Sequence, residues 1–205
     1  MPQKPILVAM DLEGVFVPEI WIAVAEHTGI EKLRLTTRDV ADYDQLMRGR
    51  LALLREHGLK LKDIQRVIAT LAPLPDAAEF VNDLRTRHPL VILSDTYYEF
   101  AAPLMQKLDW PLLFCNTLET DADGNVVNYH LRIRDGKKHA VQRFKQLNFT
   151  VIAGGDSYND TAMLAEADYG ILFRPSEKVR KEFPQFPVTT SYAEMDRLIR
   201  DFAGR

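Results

Sequence analysis

The sequence predicts an α/β fold, in which a mostly parallel sheet is flanked by helices and a small all-helical segment follows the first strand. The apolar run Ile6–Met10 shows no alternation with polar residues, which is typical of a strand buried on both faces. Residues 19–72 show no strand-like pattern. From residue 76 onward, helical and strand-like segments alternate, as in a parallel sheet with right-handed crossovers.

The segment after the first strand has helical periodicity. It is predicted to hold three helices: one that begins near Ile20 and ends at Gly29, one capped by Thr37 and ended by Gly58, and one from Leu61 that stops before Pro73. We therefore expect a helical cap domain at residues 17–74. Residues 1–16 and 75–205 are expected to form the core domain that carries the sheet.

The remainder of the chain contains apolar runs separated by turn residues and helical patterns. The predicted elements are, in order, a helix at 76–87, strands at 90–93 and 112–115 separated by a helix at 97–108, a hairpin of strands 117–121 and 126–133 around the turn 122–125, a helix at 137–147, a strand at 151–153, a helix at 159–167, a last clear strand at 169–173 and a closing C-terminal helix.

The composition excludes several classes of function. The chain has 205 residues, is 46% hydrophobic and carries a net charge of −3, so no overall basic field favours nucleic acid. No apolar stretch approaches the roughly 20 residues that a membrane helix needs. The single Cys115 excludes an internal disulfide and a cysteine-based zinc site. With no pattern of a signal peptide at the N-terminus, we expect a cytoplasmic protein.

Three predicted strands end in polar residues, at Asp11, Ser94 and Asp156. The carboxyl ends of parallel strands lie at one edge of the sheet, where ligands bind in open α/β folds. Glu13 follows Asp11 closely, and Lys137 begins a helix that can reach the same edge. The sequence therefore predicts a site with carboxylates, a hydroxyl and an ammonium group.

This set of side chains suits phosphoryl transfer. Two carboxylates can hold Mg²⁺, and Ser94 and Lys137 can bind the phosphate oxygens. Asp11 can act as the nucleophile, while Glu13 protonates the leaving alkoxide and later activates the acceptor. Rival chemistries lack their residues, because Cys115 has no His neighbour and no Gly-x-Ser-x-Gly elbow is present.

These residues resemble the four motifs of the haloacid dehalogenase superfamily of aspartyl-phosphate phosphohydrolases. The matching residues are Asp11-Leu12-Glu13-Gly14-Val15, Ser94, Lys137 and Gly155-Asp156-Ser157-Tyr158-Asn159-Asp160. The resemblance covers nearly the whole chain and implies a Rossmannoid sheet, with the helical insertion where the phosphoserine phosphatase branch carries its cap. The first and last motifs, together with Val17-Pro18-Glu19-Ile20-Trp21, resemble the corresponding segments of those superfamily members that also transfer the phosphoryl group of L-phosphoserine to homoserine.

The resemblance implies a role for each matching residue. Asp11 would be the nucleophile and a Mg²⁺ ligand, Glu13 a ligand through its backbone carbonyl as well as the acid–base, and Asp156 a further ligand supported by Asp160 from behind. The other residues would bind the substrate. Ser94, the backbone of Asp95 and Lys137 would hold phosphate oxygens, and Asn159 would contact the phosphate or the substrate. Glu19 would bind the ammonium group of phosphoserine, and Arg50 would bind its carboxylate.

Two assignments have neighbours that could replace them, Lys138 for Lys137 and Arg48 for Arg50. One residue also departs from the superfamily pattern, because most of its phosphatases carry Asp at the position of Glu13. The longer side chain of Glu13 leads to the hypothesis that an alcohol such as homoserine competes well with water as the acceptor.

Two other functions fit parts of the pattern. The first is a phosphatase of the same superfamily that acts on another small phosphomonoester. The second is a phospho-accepting receiver module, which also uses Asp, Mg²⁺, Ser or Thr, and Lys. Receivers are shorter, lack a helical insertion after the first strand and place the phospho-acceptor on a middle strand, which disfavours this alternative.

Overall fold

The computed structural model describes residues 4–36, 39–40 and 42–204. Within this part of the chain a seven-stranded sheet has the order β4-β3-β2-β1-β5-β6-β7, and its neighbours are parallel except for β3 and β4. The strands are β1 Ile6–Met10, β2 Leu90–Tyr97, β3 Leu112–Thr120, β4 Val126–His130, β5 Thr150–Gly155, β6 Tyr169–Phe173 and β7 Val188–Thr189. The predicted α/β fold is confirmed.

Helices cover both faces of this sheet. They are α1 Ile20–Thr28, α2 Tyr43–Glu56, α3 Leu61–Thr70, α4 Ala77–Arg87, α5 Tyr98–Lys107, α6 Gly136–Gln146, α7 Thr161–Glu166, α8 Glu177–Glu182 and α9 Tyr192–Ala203, with short 3₁₀ helices at Glu31–Arg34 and Tyr158–Asp160. None of the helices that the structure describes is long and apolar enough to cross a membrane.

The central strand β1 is buried on both faces, as its unbroken apolar run predicts. Val8 and Met10 belong to one hydrophobic cluster, whereas Leu7 and Ala9 belong to a second cluster on the opposite side. Successive side chains of a strand point to opposite faces, so β1 contributes to both clusters. Removing this apolar surface from water stabilises the three-layer arrangement.

The register of the central strands determines where the polar residues meet. Met10 of β1 pairs with Ile92 of β2 on one side and with Gly154 of β5 on the other. The residues that follow these three therefore leave the sheet at the same edge. Asp11, Ser94 and Asp156 lie there, as expected.

The described residues between β1 and β2 are helical, as predicted, with an isolated bridge between Glu13 and Val17 near the start of this segment. Gly29 ends α1 with a positive φ of 71°. The predicted start of α2 is wrong: the helix begins at Tyr43, because the Asp42 side chain caps it by accepting a hydrogen bond from the backbone N–H of Gln45. Thr37, the expected cap, lies outside the described residues.

Three predictions for the second half of the chain are corrected. The strands expected at 112–115 and 117–121 form one strand, β3, because its first part pairs with β2 and its second with β4. The strand expected at 126–133 ends at His130, since the backbone N–H of Arg132 turns towards the Asn116 side chain. A 3₁₀ turn replaces the first residues of the helix expected at 159–167. The segments α8 and β7 are too short to show a period in sequence.

Candidate functional site

A bulge in β2 shapes the edge of the sheet that holds the site. Between Leu93 and Tyr97 this strand bulges while β3 advances only from Phe114 to Asn116. The predicted end of this strand at Ser94 is therefore wrong, because the pairing resumes at Tyr97. Bulges are enriched near functional sites, where they redirect side chains. Here the bulge displays residues 94–96 at the end of β1.

A cavity of about 930 Å³ opens at this edge, between the sheet and the helical insertion. Its lining contains every predicted site residue except Asp160: Asp11, Glu13, Glu19, Arg50, Ser94, Asp95, Lys137, Asp156 and Asn159. Asp160 is buried beneath it. The structure thus brings the predicted phosphate end and the predicted amino-acid end together in one chamber.

Lys137 forms the electrostatic centre of the site. Its Nζ lies 2.8 Å from Asp11 Oδ1, 2.8 Å from Asp160 Oδ1 and 3.6 Å from Asp95 Oδ2. Burial opposes the charged form of Lys137, but the attraction of these carboxylates outweighs it and raises its pKa well above the usual value. Lys138 also lines the cavity, but Lys137 is the lysine that touches Asp11.

The carboxylates of Asp11, Asp156 and Asp160 each offer an oxygen within 4.8 Å of the others. Burial and the negative charge of Asp160 raise the pKa of Asp11 well above its usual value, although Lys137 opposes this shift. The only cation in contact with Asp11 among the described residues is Lys137. The excess of negative charge and oxygen donors fits a hard divalent cation such as Mg²⁺.

Asp160 has a different task from the other two carboxylates. Its Oδ1 accepts a hydrogen bond from Lys137 at 2.8 Å. Its Oδ2 accepts the backbone N–H groups of Asp156 at 3.0 Å and Ser157 at 3.1 Å. Both oxygens are engaged, so Asp160 holds the lysine and the loop that carries Asp156.

Gly14 belongs to the first motif, but nothing in the sequence shows why this position needs glycine. It has a φ of +77°, and a Cβ atom placed on it would lie 2.6 Å from the carboxyl of Asp156. A side chain at this position would combine a strained backbone with a direct clash. The close approach of two chain segments therefore requires glycine here.

A backbone hydrogen bond from α1 holds the carboxyl of Glu13. Its Oε2 accepts the backbone N–H of Ile20, the first residue of α1, at 2.8 Å. Burial, helped by repulsion from Glu19, raises the pKa of Glu13 to about 7. A carboxyl with such a pKa can both give and take a proton near neutral pH.

Arg50 supplies a buried cation at the insertion side of the cavity. Its side chain is 7% exposed, lies over the Trp21 ring at 4.6 Å and donates from Nη2 to the backbone carbonyl of Leu35 at 2.6 Å. Its Nε is buried without a hydrogen-bond partner among the described residues. Arg48, the alternative, is 68% exposed and pairs with the carboxylate of Asp44.

The remaining predicted residues lie at other points of the cavity wall. Ser94 is buried, and its Oγ accepts the backbone N–H of Thr96 at 3.2 Å. Asn159 donates from Nδ2 to Asp95 Oδ2 at 2.9 Å. Glu19 lies at the exposed N-terminus of α1 and lines the cavity.

Sequence reasoning missed a pair of tyrosines on the cavity wall. The hydroxyl groups of Tyr43, on α2, and Tyr97, on β2, are 2.8 Å apart. Both tyrosines line the cavity. The position of Tyr97 soon after Ser94 was the signal in the sequence. The helical periodicity predicts Tyr43 on the apolar face of α2 but gives no sign of a role in the site.

Comparisons with known proteins agree with this geometry. A family model described as haloacid dehalogenase-like hydrolase matches residues 7–168. A phosphoserine phosphatase of Pseudomonas syringae pv. tomato is 58% identical over 191 residues, which is 93% of this chain and 81% of that protein. The phosphoserine phosphatase ThrH of Pseudomonas aeruginosa is also 58% identical over 191 residues, with 93% of each chain covered.

Solved structures agree with the fold. The phosphoserine phosphatase from T. onnurineus in complex with NDSB-201 has a TM-score of 0.74 and 25% identity, and the match covers 97% of this chain and 96% of that one. A phospho-aspartyl intermediate analogue of phosphoserine phosphatase has a TM-score of 0.78 at 18% identity, over 96% and 99% of the two chains, and shares the fold. The family match and the 58% identical relatives show that this chain belongs to the haloacid dehalogenase-like hydrolases.

Proposed function

We propose that this protein is a Mg²⁺-dependent phosphoserine phosphatase that also transfers the phosphoryl group of L-phosphoserine to homoserine. The observation that carries the proposal is the contact of Lys137 with Asp11 in a chamber whose other side holds the buried cation Arg50. The two relatives that are 58% identical bear the name phosphoserine phosphatase, which supports the choice of substrate.

The phosphate group would lie between Asp11 and the polar groups of Ser94 and Lys137. Asp11 attacks phosphorus and forms an aspartyl-phosphate, while the bond from phosphorus to the serine oxygen breaks. Glu13 gives its proton to the leaving alkoxide. In the second step Glu13 takes a proton from the acceptor, whose oxygen attacks the phosphorus and releases Asp11.

The donor set fits a magnesium ion beside the nucleophile. Asp11, Asp156 and the backbone carbonyl of Glu13 would hold it. A divalent cation at this place neutralises negative charge on the phosphate oxygens, which otherwise repel the carboxylate nucleophile. Asp160 keeps the Asp156 loop in place through its two backbone hydrogen bonds.

The amino-acid part of the substrate would be recognised at the insertion. Phosphoserine carries a carboxylate and an ammonium group besides its phosphate. Arg50 is buried on the cavity wall and would bind the carboxylate, and Glu19 at the cavity edge would bind the ammonium. The backbone of Asp95 would bind phosphate oxygens beside Ser94, and Asn159, which donates a hydrogen bond to the Asp95 carboxylate, would contact the phosphate or the rest of the substrate.

Residues 17–74 would act as a cap domain over the core, formed by residues 1–16 and 75–205. The hydrogen bond between Tyr43 and Tyr97 joins this insertion to the core at the cavity wall. A closed cap excludes bulk water, which favours transfer to an alcohol that binds in the chamber. The extra methylene of Glu13, compared with Asp, supports the same preference.

A phosphate-release screen over small phosphomonoesters, with Mg²⁺ and then with excess chelator, tests the proposed reaction. We expect phosphoserine to be the best substrate and chelation to stop turnover reversibly. Homoserine should divert phosphate into phosphohomoserine. Preference for another phosphomonoester would replace the substrate, and release of free phosphate alone at every homoserine concentration would remove the transferase activity.

The nucleophile is tested by Asp11→Asn, with Asp201→Asn on the exposed surface of α9 as the control. The first variant should lose more than about a thousandfold in kcat, because an amide cannot form the aspartyl-phosphate. Normal turnover by a folded Asp11→Asn protein would refute the mechanism.

A further inference from the structure

We propose that Asn116 is a positioning residue that orients the hydroxyl of Ser94 towards the phosphate group. Asn116 lies on β3 and belongs to none of the four sequence motifs. The inference rests on the proposed function, because that function makes Ser94 a donor to a phosphate oxygen.

The first step of the argument is the location of Asn116 beside the bulge of β2. The register of the two strands passes from the pair Leu93–Phe114 to the pair Tyr97–Asn116, so residues 94–96 lie in the bulge. A bulge interrupts the ladder, and other groups must then satisfy the backbone groups that it displaces. The Asn116 side chain is 6% exposed and lines the cavity, so it is close enough to serve this purpose.

The second step is the orientation of the Asn116 amide. Its Oδ1 accepts the backbone N–H of Arg132 at 3.0 Å, and its Nδ2 donates to the backbone carbonyl of Asp95 at 3.1 Å. An N–H group can only donate and a carbonyl can only accept, so a half-turn of the amide would break both contacts. The hydroxyl of Tyr43 donates to the same carbonyl over a longer distance of 3.4 Å. The amide is therefore fixed with its donor towards the bulge.

The third step connects this contact to Ser94 through one peptide unit. The carbonyl of Asp95 and the N–H of Thr96 belong to the same planar trans peptide and point in opposite directions. Asn116 holds the carbonyl end, and the N–H end donates to Ser94 Oγ at 3.2 Å. An amide that fixes one end of a planar unit also fixes the donor at its other end.

The fourth step is the direction of the Ser94 proton. A hydroxyl group donates one proton and accepts through the lone pairs of its oxygen. Because the Ser94 oxygen accepts from the Thr96 N–H, its own proton is turned away from that group. Ser94 lines the cavity, where an ionised phosphate oxygen would accept the proton in a charge-assisted hydrogen bond. Successive hydrogen bonds in such a chain strengthen one another.

The alternative is that Asn116 only satisfies the backbone of the bulge and stabilises the sheet. A variant without the amide would then unfold more easily, but its folded molecules would bind phosphate as the wild-type protein does. A positioning role instead lowers the phosphate affinity of the folded protein. It also requires the Ser94 hydroxyl, since the effect passes through that group.

The test measures the affinity for inorganic phosphate by calorimetric titration with saturating Mg²⁺. Asn116→Leu removes the amide at similar size, and it is made both in the wild-type protein and in Ser94→Ala. Asn116→Ser removes the amide with a smaller polar side chain, and it replaces the leucine variant if that protein does not fold. Urea unfolding measures the stability of each variant separately.

The control variant is Thr189→Val on β7. Thr189 is also a buried strand residue whose side chain donates to a backbone carbonyl, that of Leu172 at 3.3 Å. It does not line the cavity. Loss of this hydrogen bond should therefore lower the stability and leave the phosphate affinity unchanged.

We expect Asn116→Leu to weaken phosphate binding by about tenfold, the order expected for one hydrogen bond to a charged group. In Ser94→Ala the same substitution should change the phosphate affinity by less than about twofold, because the hydroxyl through which it acts is absent. Asn116→Ser should show the same pattern. An unchanged affinity in the folded Asn116 variants, or an equal loss with and without the Ser94 hydroxyl, would overturn the inference.

Failure of the proposed function would look different. In that case the wild-type protein would not bind phosphate in the presence of Mg²⁺, or Ser94→Ala would bind it as tightly as the wild-type protein does. Either result would refute the phosphate-binding role of Ser94 and, with it, the inference. Where the wild-type protein binds phosphate and Ser94→Ala binds it more weakly, the Asn116 variants judge the inference alone.

Discussion

Lys137 Nζ lies at 2.8 Å from both Asp11 Oδ1 and Asp160 Oδ1, so one buried ammonium group joins the first strand to the loop after β5. These contacts cross the site from one chain segment to another. They determine both the charge balance at Asp11 and the position of the loop that carries Asp156.

Removal of this ammonium group should damage both activity and stability. Lys137→Met would leave Asp11 and Asp160 buried without their cation, and loss of one partner of a buried ion pair typically costs about 3–5 kcal/mol. Lys138→Met is the matched control, since Lys138 makes no ion pair in the described part of the chain. Urea unfolding and phosphate release measure the two effects, and similar losses in both variants would contradict the assignment.

The two arginines of α2 offer a second matched pair. Arg50→Met should raise KM for phosphoserine by about tenfold or more, because the variant loses the cation proposed to bind the carboxylate. The same variant should leave KM for an aryl phosphate nearly unchanged. Arg48→Met removes only an exposed i,i+4 pair with Asp44 and should change neither value. An equal effect of Arg50→Met on both substrates would exclude Arg50 from amino-acid recognition.

Two glycines with positive φ separate backbone strain from a clash at the site. Gly58 has a φ of +64°, and a methyl group added to it would meet nothing within 4 Å, whereas a methyl group on Gly14 would lie 2.6 Å from the Asp156 carboxyl. Gly58→Ala should cost about 1–2 kcal/mol of stability and leave activity unchanged. Gly14→Ala should also displace Asp156.

The readout for this displacement is the Mg²⁺ concentration that half-activates the enzyme. We expect it to rise for Gly14→Ala and to stay constant for Gly58→Ala, because only the former moves a proposed ligand. A Gly14→Ala protein with unchanged Mg²⁺ activation would show that Asp156 tolerates the methyl group or does not bind the ion.

Glu13 should make stability depend on pH. Its pKa is raised from 4.5 to about 7 in the folded protein, so the folded state holds this proton more tightly than the unfolded chain does. Between these two values the folded state binds more protons, and the free energy of unfolding therefore falls as pH rises. Glu13→Gln cannot ionise and should show a smaller fall.

Urea unfolding of the metal-free protein, measured on both sides of this pH range, gives the comparison. The metal must be absent because a bound cation would also favour the ionised carboxylates nearby. Asp11 contributes in the same direction, since its pKa is raised too, so the difference between the wild-type protein and Glu13→Gln isolates Glu13. Identical pH profiles would mean that the Glu13 pKa is not raised.

Much of the fold could be predicted because its strands are buried on both faces. The apolar run of β1 ends at Asp11, and the turn around Gly124 joins β3 and β4 as expected. The strand β7 could not be predicted, since two residues carry no period. The start of α2 depended on which of several polar residues caps the helix, and Asp42 does so through a hydrogen bond from Gln45.

The sequence by itself determined which chemistry is present, because Asp11, Glu13, Ser94, Lys137 and Asp156 follow strands or begin helices at positions that topology sends to one edge. Only the tertiary structure decided how these groups act on each other. The choice of Lys137 over Lys138, the position of Arg50 on the cavity wall and the hydrogen bond from Asn159 to Asp95 depend on contacts between residues far apart in the chain. Such contacts leave no period or spacing in a sequence, since they arise when separate elements pack.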